Sequence, residues 1–301
     1  MTRTDTYAQI TTQLLAQLEA GTAPWVRPWS TTGQAGGNTP YNADTGRRYS
    51  GGNVVLLWMA AAAKGYTSNG WLTYRQAQAC GGQVRAGEKS TTITLVKRVV
   101  GKPRDGEETG RAFSLLRTFA VFNTAQCDGL PARIVAPEAA PVVRVPGRPD
   151  PLVDAFVAGT GARIQRGGDV ARYIPSVDRI DLPLFATFKT PDHYYATAFH
   201  ELAHWTGSKA RLDRTFGERF GDEKYAFEEL VAELTAAFLC AEWNFDGSIN
   251  EQAAAYLATW AKVIRADGQL FFSAASMAQK AADYLRGLVE VEQVEQVEEA
   301  A

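Results

Sequence analysis

The chain has 301 residues, of which 46% are apolar, and a formal net charge of -2. That is enough apolar material for two cores, while the longest apolar run, Val54 to Ala63, is too short to span a bilayer. Neither the polar N-terminus MTRTDTYAQI nor the scattered Cys80, Cys127 and Cys240 suggests export, a disulfide framework or a cysteine metal site, so a reducing cytoplasm is expected.

The small net charge hides two unlike halves. Residues 1–130 hold 14 Lys and Arg against 8 Asp and Glu, whereas residues 131–301 hold 17 against 25. A near-neutral total therefore does not exclude nucleic-acid binding by the basic half.

In chain order, residues 5–20 form an amphipathic helix with Ile10, Leu14, Leu15 and Leu18 on one side, and residues 52–64 form a second, mostly buried helix. The stretch between them, TAPWVRPWSTTGQAGGNTPYNADTGRRYSGGN, is too rich in Gly, Pro and Asn for regular structure, and is expected to expose Trp25, Trp29, Arg47, Arg48 and Tyr49 for a purpose. WLTYRQAQACGG reads as a short helix with a glycine stop carrying Trp71, Tyr74 and Arg75, and GGQVRAGEKS adds Arg85 and Lys89 on a glycine-rich turn. Bases stack on aromatic faces and phosphates need cations, so this interleaving suits single strands of any sequence. Trp58, inside VVLLWMA, is expected in the core. STTITLVKRVV and SLLRTFAVFN read as an antiparallel hairpin, and no phosphate-binding nucleotide loop is present.

PARIVAPEAAPVVRVPGRPDP, residues 131–151, has six prolines and reads as an extended connector. The expected organisation is α+β with two domains: a nucleic-acid-binding domain at 1–130, the linker at 131–151, a mostly helical metal-binding domain at 152–288, and an acidic Val-Glu-Gln tail at 289–301.

In the acidic half, YYATAFHELAHWTG places His200 and His204 four residues apart, on one face of a helix, with Glu201 beside the first. Thr190-Pro191-Asp192 supplies a helix start, predicting a helix over 191–206. Two imidazoles at this spacing are the signature of a zinc peptidase, which needs a third protein ligand and an open position for water. The strongly helical segment 225–243 offers Glu228, Glu229 and Glu233, with Glu229 and Glu233 one turn apart. Glu229 is read as the third ligand, Glu233 as the carboxylate holding a ligand histidine by its other nitrogen, and Glu228 as the fallback ligand. Glu201 is then the general base, and His193, Tyr194, Tyr195 and Tyr225 are candidates to stabilise an oxyanion. The metal is read as Zn2+, with Mn2+ or another divalent ion as the alternative.

PWVRPW, PYNADTGRRYSGGN, WLTYRQAQACGGQVRAGEKS, DHYYATAFHELAHWTG, RLDRTFG and YAFEELVAELTAAFLCAE, in that order, resemble the ArdC family of plasmid antirestriction proteins. The resemblance covers nearly the whole chain apart from the linker and tail. It implies an N-terminal domain binding single-stranded DNA, with double-stranded DNA a further possible partner, and a C-terminal zincin-like metallopeptidase domain acting on an unknown protein substrate. It also implies metal binding at His200, His204 and Glu229, Glu201 as the catalytic carboxylate, and protection of incoming plasmid DNA during conjugation. ARYIPSVDRIDLP, upstream of the metal helix, is similar to the family's strand region and is a candidate edge strand for a peptide substrate. A DNA-coating protein with a structural metal, and a peptidase cleaving a repressor, are the alternatives.

Overall fold

A computed structural model describes residues 3–26, 37–100, 112–135, 147–214, 223–245 and 251–299. The chain opens with α1 (Arg3–Glu19), then β1 (Tyr41–Asn42), α2 (Gly52–Lys64), β2 (Gly70–Thr73), α3 (Tyr74–Ala79), β3 (Gln83–Val84), β4 (Thr91–Val100), β5 (Ala112–Asn123) and β6 (Cys127–Asp128). The second half runs α4 (Pro151–Gly159), β7 (Ile164–Arg166), β8 (Arg172–Ile174), β9 (Arg179–Leu182), α5 (Pro191–Thr206), α6 (Glu223–Glu242), α7 (Glu251–Ala266) and α8 (Gln269–Glu299). This is a two-domain α+β fold, and among the described residues no helix is long and apolar enough to cross a membrane.

The expected hairpin is present: β4 and β5 pair antiparallel from Thr91↔Val121 to Val100↔Ala112, in a sheet ordered β1-β2-β5-β4. The stretch expected as a helix from Trp71 instead begins as a strand. Gly70–Thr73 forms β2 against β5, and the helix starts only after Thr73, whose side chain accepts from Gln76 N in a capping box. In the second half β7, β9 and β8 form a small sheet in that order, which leaves β8, within the expected edge-strand segment, on one rim.

The two halves share a core. Ile10, Leu14 and Leu18 on α1 and Val54, Val55 and Trp58 on α2 pack with Leu230 and Phe238 of α6, Trp260 and Ile264 of α7 and Phe271 of α8. The opposite side of α2, Leu57 and Ala61, covers Trp71, Ile93 and Val121 on the sheet. A helix apolar on opposite sides must bury both, and α2 does so from Val54 to Met59 and at Ala61 because it lies between sheet and bundle. Gly37 closes the same seam. It has φ +83°, and a Cβ there would meet Ala241 O and Glu242 O at 2.7 Å each, so only glycine lets Asn38 N donate to Ala241 O at 2.6 Å. Small residues on α8, Ala274, Ala275 and Ala278, are buried in this same core.

Burial overturns part of the reading of the aromatic residues. Trp25 is 1% exposed and meets Trp260 edge-on at 5.4 Å, and Trp71 is 1% exposed and meets Tyr66 at 6.2 Å. Both offer no face to a base, because a large apolar ring gains more from burial than exposure whenever a partner surface lies within reach. Trp29 lies outside the described residues, as do the hairpin turn 101–111 and linker residues 136–146. The Val-Glu-Gln repeat continues α8 to Glu299.

Candidate metal centre

The site is built on two packed helices. Thr190 Oγ1 accepts from His193 N at 3.2 Å and Pro191 occupies the first turn, so α5 starts where the sequence places it and ends at Thr206. Its apolar positions Phe199, Leu202 and Ala203 are fully buried, which fixes the rotation of the helix and turns His200 and His204 towards α6. From α6, Glu228, Glu229 and Glu233 face back.

Ligand-type atoms of His200, His204 and Glu229 lie within 4.8 Å of one another. The two Nε2 atoms are 3.1 Å apart, and the Glu229 carboxylate approaches with one oxygen 3.6 Å from His200 Nε2 and the other 3.4 Å from His204 Nε2. Each ring has a second carboxylate on its far nitrogen. Glu233 Oε1 lies 3.2 Å from His200 Nδ1, although off the angle of a formed hydrogen bond, and Glu228 Oε1 lies 3.3 Å from His204 Nδ1.

Burial alone lowers the histidine pKa values, but carboxylate contacts outweigh it. Glu229 and Glu233 hold His200 well above 6.5, and Glu228 and Glu229 carry His204 up to about 9. Burial opposes ionisation of Glu229 too, yet both imidazoles hold its pKa far below normal. The surroundings thus call for positive charge between the rings, while two Nε2 atoms at 3.1 Å leave no room for two opposed N–H groups. One shared cation satisfies both conditions. The donor set of two imidazole nitrogens and a carboxylate, amid Glu201, Glu228 and Glu233 with Arg214 as compensating cation, fits a divalent metal.

Glu201 is 6% exposed, its carboxyl is raised by desolvation, and it accepts a hydrogen bond from the Tyr173 backbone on β8. The carboxylate therefore lies between the metal pocket and the rim strand. Arg211 fastens that strand to α5: it stacks on Trp205 at 3.9 Å, donates to Trp205 O at 2.6 Å, and reaches Tyr173 Oη and Asp178.

Sequence reasoning missed Arg214. Its guanidinium grips both oxygens of Glu228 at 3.0 and 2.8 Å and also donates to Ala203 O and Thr206 Oγ1, which aims Glu228 at His204. Glu228, the fallback ligand, thus stands behind a histidine. RLDRTFG following the metal helix was the available signal, but the pairing spans 14 residues and no periodicity reveals it.

Of the oxyanion candidates, Tyr194 accepts from Arg166 at 3.3 Å and Tyr195 donates to Asp154 at 2.9 Å, so both are engaged towards the small sheet and α4. His193 sits in the first turn, and Tyr225 alone of the four hydrogen bonds to Glu229.

The nucleic-acid candidates are more dispersed. Arg47, Arg75, Lys89 and Tyr74 are exposed, and Tyr49 is half-buried. Arg48 lies 3.9 Å from Glu242 at the end of α6. Arg85 is held by Glu88, Asp128 and Ala125 O, which removes much of its capacity for phosphate.

A largely buried histidine pair and carboxylate on two packed helices, beside a three-stranded sheet, define a zincin-like metallopeptidase domain, and residues 151–277 match the family described by that name. Residues 4–122 match the N-terminal domain of anti-restriction factor ArdC. The chain belongs to the ArdC antirestriction family.

The crystal structure of antirestriction ArdC protein from R388 plasmid is similar in its metal-free form, with a TM-score of 0.80, 41% identity and coverage of 94% of this chain and 97% of that one. Its Mn(II)-bound form superposes with a TM-score of 0.78 and 39% identity over the same shares. The uncharacterized protein y4eC of Sinorhizobium fredii (strain NBRC 101917 / NGR234) is 38% identical over 294 residues, 94% of this chain and 92% of that protein. A DNA primase TraC of Escherichia coli is 38% identical over 296 residues, which cover 93% of this chain but 27% of the primase.

Proposed function

We propose that the protein binds single-stranded DNA in the cytoplasm, protects incoming plasmid DNA from restriction during conjugation, and carries a zinc-dependent peptidase site at His200, His204 and Glu229. The observation that carries the reading is the convergence of those three side chains beside a buried Glu201, in a chain whose basic half belongs to the ArdC N-terminal domain. Two imidazoles and one carboxylate suit Zn2+, and the Mn(II)-bound relative makes Mn2+ the natural second choice.

When bound there, a divalent ion supplies a Lewis acid and lowers the pKa of a coordinated water towards about 7. Glu201 accepts a proton from the attacking water and returns it to the leaving amine, a role suited to a carboxyl whose pKa is raised by burial. Glu233 and the Arg214–Glu228 pair orient the two histidines, and Tyr225 donates to charge developing at the carbonyl oxygen. β8 offers its rim to an extended peptide. On the other half, we assign contact with DNA to Arg47, Arg48, Tyr49, Tyr74, Arg75 and Lys89, with Arg85 a lesser contributor.

The test is a conjugation assay into a restricting recipient with Glu201→Gln and Glu229→Ala variants. The proposal expects both to lose protection while still binding oligonucleotide. Full protection by Glu201→Gln with none by Glu229→Ala makes the metal structural and removes proteolysis from the function.

A further inference from the structure

Outside the metal centre, a groove of about 520 Å3 lies between α1 and α2, bordered by the start of β4. Gln9, Gln13 and Gln17 line one wall at one-turn intervals along α1. The other wall carries Lys64 and Tyr66, and Lys89 and the hydroxyl side chains of residues 90–92 complete it.

Among the described side chains, no carboxylate lines this groove. Glu88 stands near enough to interact electrostatically with Lys64 and Tyr66, but its hydrogen bonds, like the ion pair of Glu19, go to other partners. Glu88 accepts from Arg85 at 2.8 Å and from Gln126 at 2.9 Å, and Glu19 on α1 pairs with Arg265 on α7. Lys64 and Lys89 are exposed and have no ion-pair partner among the described residues. Tyr66 packs edge-on against Trp71, so its ring is supported from behind.

We propose that this groove seats a segment of single-stranded nucleic acid, with Lys64 and Lys89 on phosphates, the glutamine amides on base edges and Tyr66 as an aromatic contact. The proposal rests on the single-strand reading above and gives that reading a place. Exposed lysines that make no close ion pair among the described residues supply attraction that tolerates any sequence, and primary amides can donate to or accept from every base. Of these groups the sequence singled out Lys89, alongside tryptophans of which two are buried.

The test uses the full-length protein, a fluorescent oligodeoxythymidylate and fluorescence anisotropy over a range of salt concentrations. Lys64→Glu with Lys89→Glu is expected to weaken binding about tenfold or more and to flatten the salt slope by about 1.4, the loss of two single-strand phosphate contacts. Lys64→Gln with Lys89→Gln, which adds no negative charge to the α2 C-terminus, should give a smaller loss at unchanged melting temperature. The equal-charge control Lys209→Glu with Lys280→Glu should bind like wild type.

Wild-type affinity and slope in the groove variants overturn the groove while leaving the single-strand reading standing, as does an equal loss in the control. Competition by polyglutamate as strong as by unlabelled oligonucleotide assigns the groove to an acidic peptide and overturns it too. A wild-type protein that binds no oligonucleotide overturns both readings.

Discussion

The metal centre and the basic surface contrast in how tightly the fold determines them. Every ligand-type side chain of the centre comes from α5 or α6 and is buried or nearly so, and each histidine has a carboxylate at its far nitrogen. The candidate basic residues of the first half, Arg47, Arg48, Lys64, Arg75, Arg85 and Lys89, sit on loops or at helix ends, and several are already engaged within the protein. Chemistry on one bond demands preorganisation, which two packed helices supply. Attraction of a polyanion demands only exposed, uncompensated charge, and the fold is free to scatter it.

The sharpest break in that comparison is Glu201→Gln. On a quenched fluorescent peptide library the variant should lose about 10²–10⁴-fold of any hydrolysis while retaining metal. Unchanged turnover would move the general base elsewhere.

Trp25→Ala comes next, because the first half is tied to the second through this ring. It should destabilise the whole protein by about 3–5 kcal/mol, seen as one cooperative transition at lower denaturant. Loss of oligonucleotide affinity at unchanged stability would instead restore Trp25 as a stacking residue.

A smaller effect is expected behind the histidines. Arg214→Ala should weaken metal affinity about 10–100-fold by releasing Glu228 from His204. Affinity equal to wild type would reduce the pair to a fold contact.

The mildest effect is that of pH. With His204 raised from 6.5 to about 9, the metal-free protein has a stabilising contribution that is complete below about pH 6.5 and is lost as pH rises through 9. Metal affinity should run the other way and rise over the same window as the competing proton leaves. Thermal melts at several pH values, with chelator and with metal, check both signs.

Much of the metal centre was legible because its information is local. Thr190-Pro191 marks the start of α5, the four-residue spacing aims both histidines, and the glutamates of α6 repeat on a helical period. The hairpin of β4 and β5 was readable from two apolar runs around a charged turn. The rest depends on partners distant in sequence. β2 is only four residues long and merges into a helix, so its identity comes from β5, some fifty residues later. Trp25 lies in a stretch that looks like loop, and its burial is decided by Trp260. The Arg214–Glu228–His204 chain joins three segments that no pattern links. The lysine groove is visible only once α1 and α2 stand side by side.

The most direct test of the central claim is calorimetric titration of Zn2+ or Mn2+ into chelator-treated full-length protein, alongside His204→Ala, Glu229→Ala and Glu201→Gln. A single site per chain, abolished or greatly weakened by the first two substitutions and kept by the third, is the predicted result. A site of unchanged affinity in His204→Ala and Glu229→Ala would contradict the assignment.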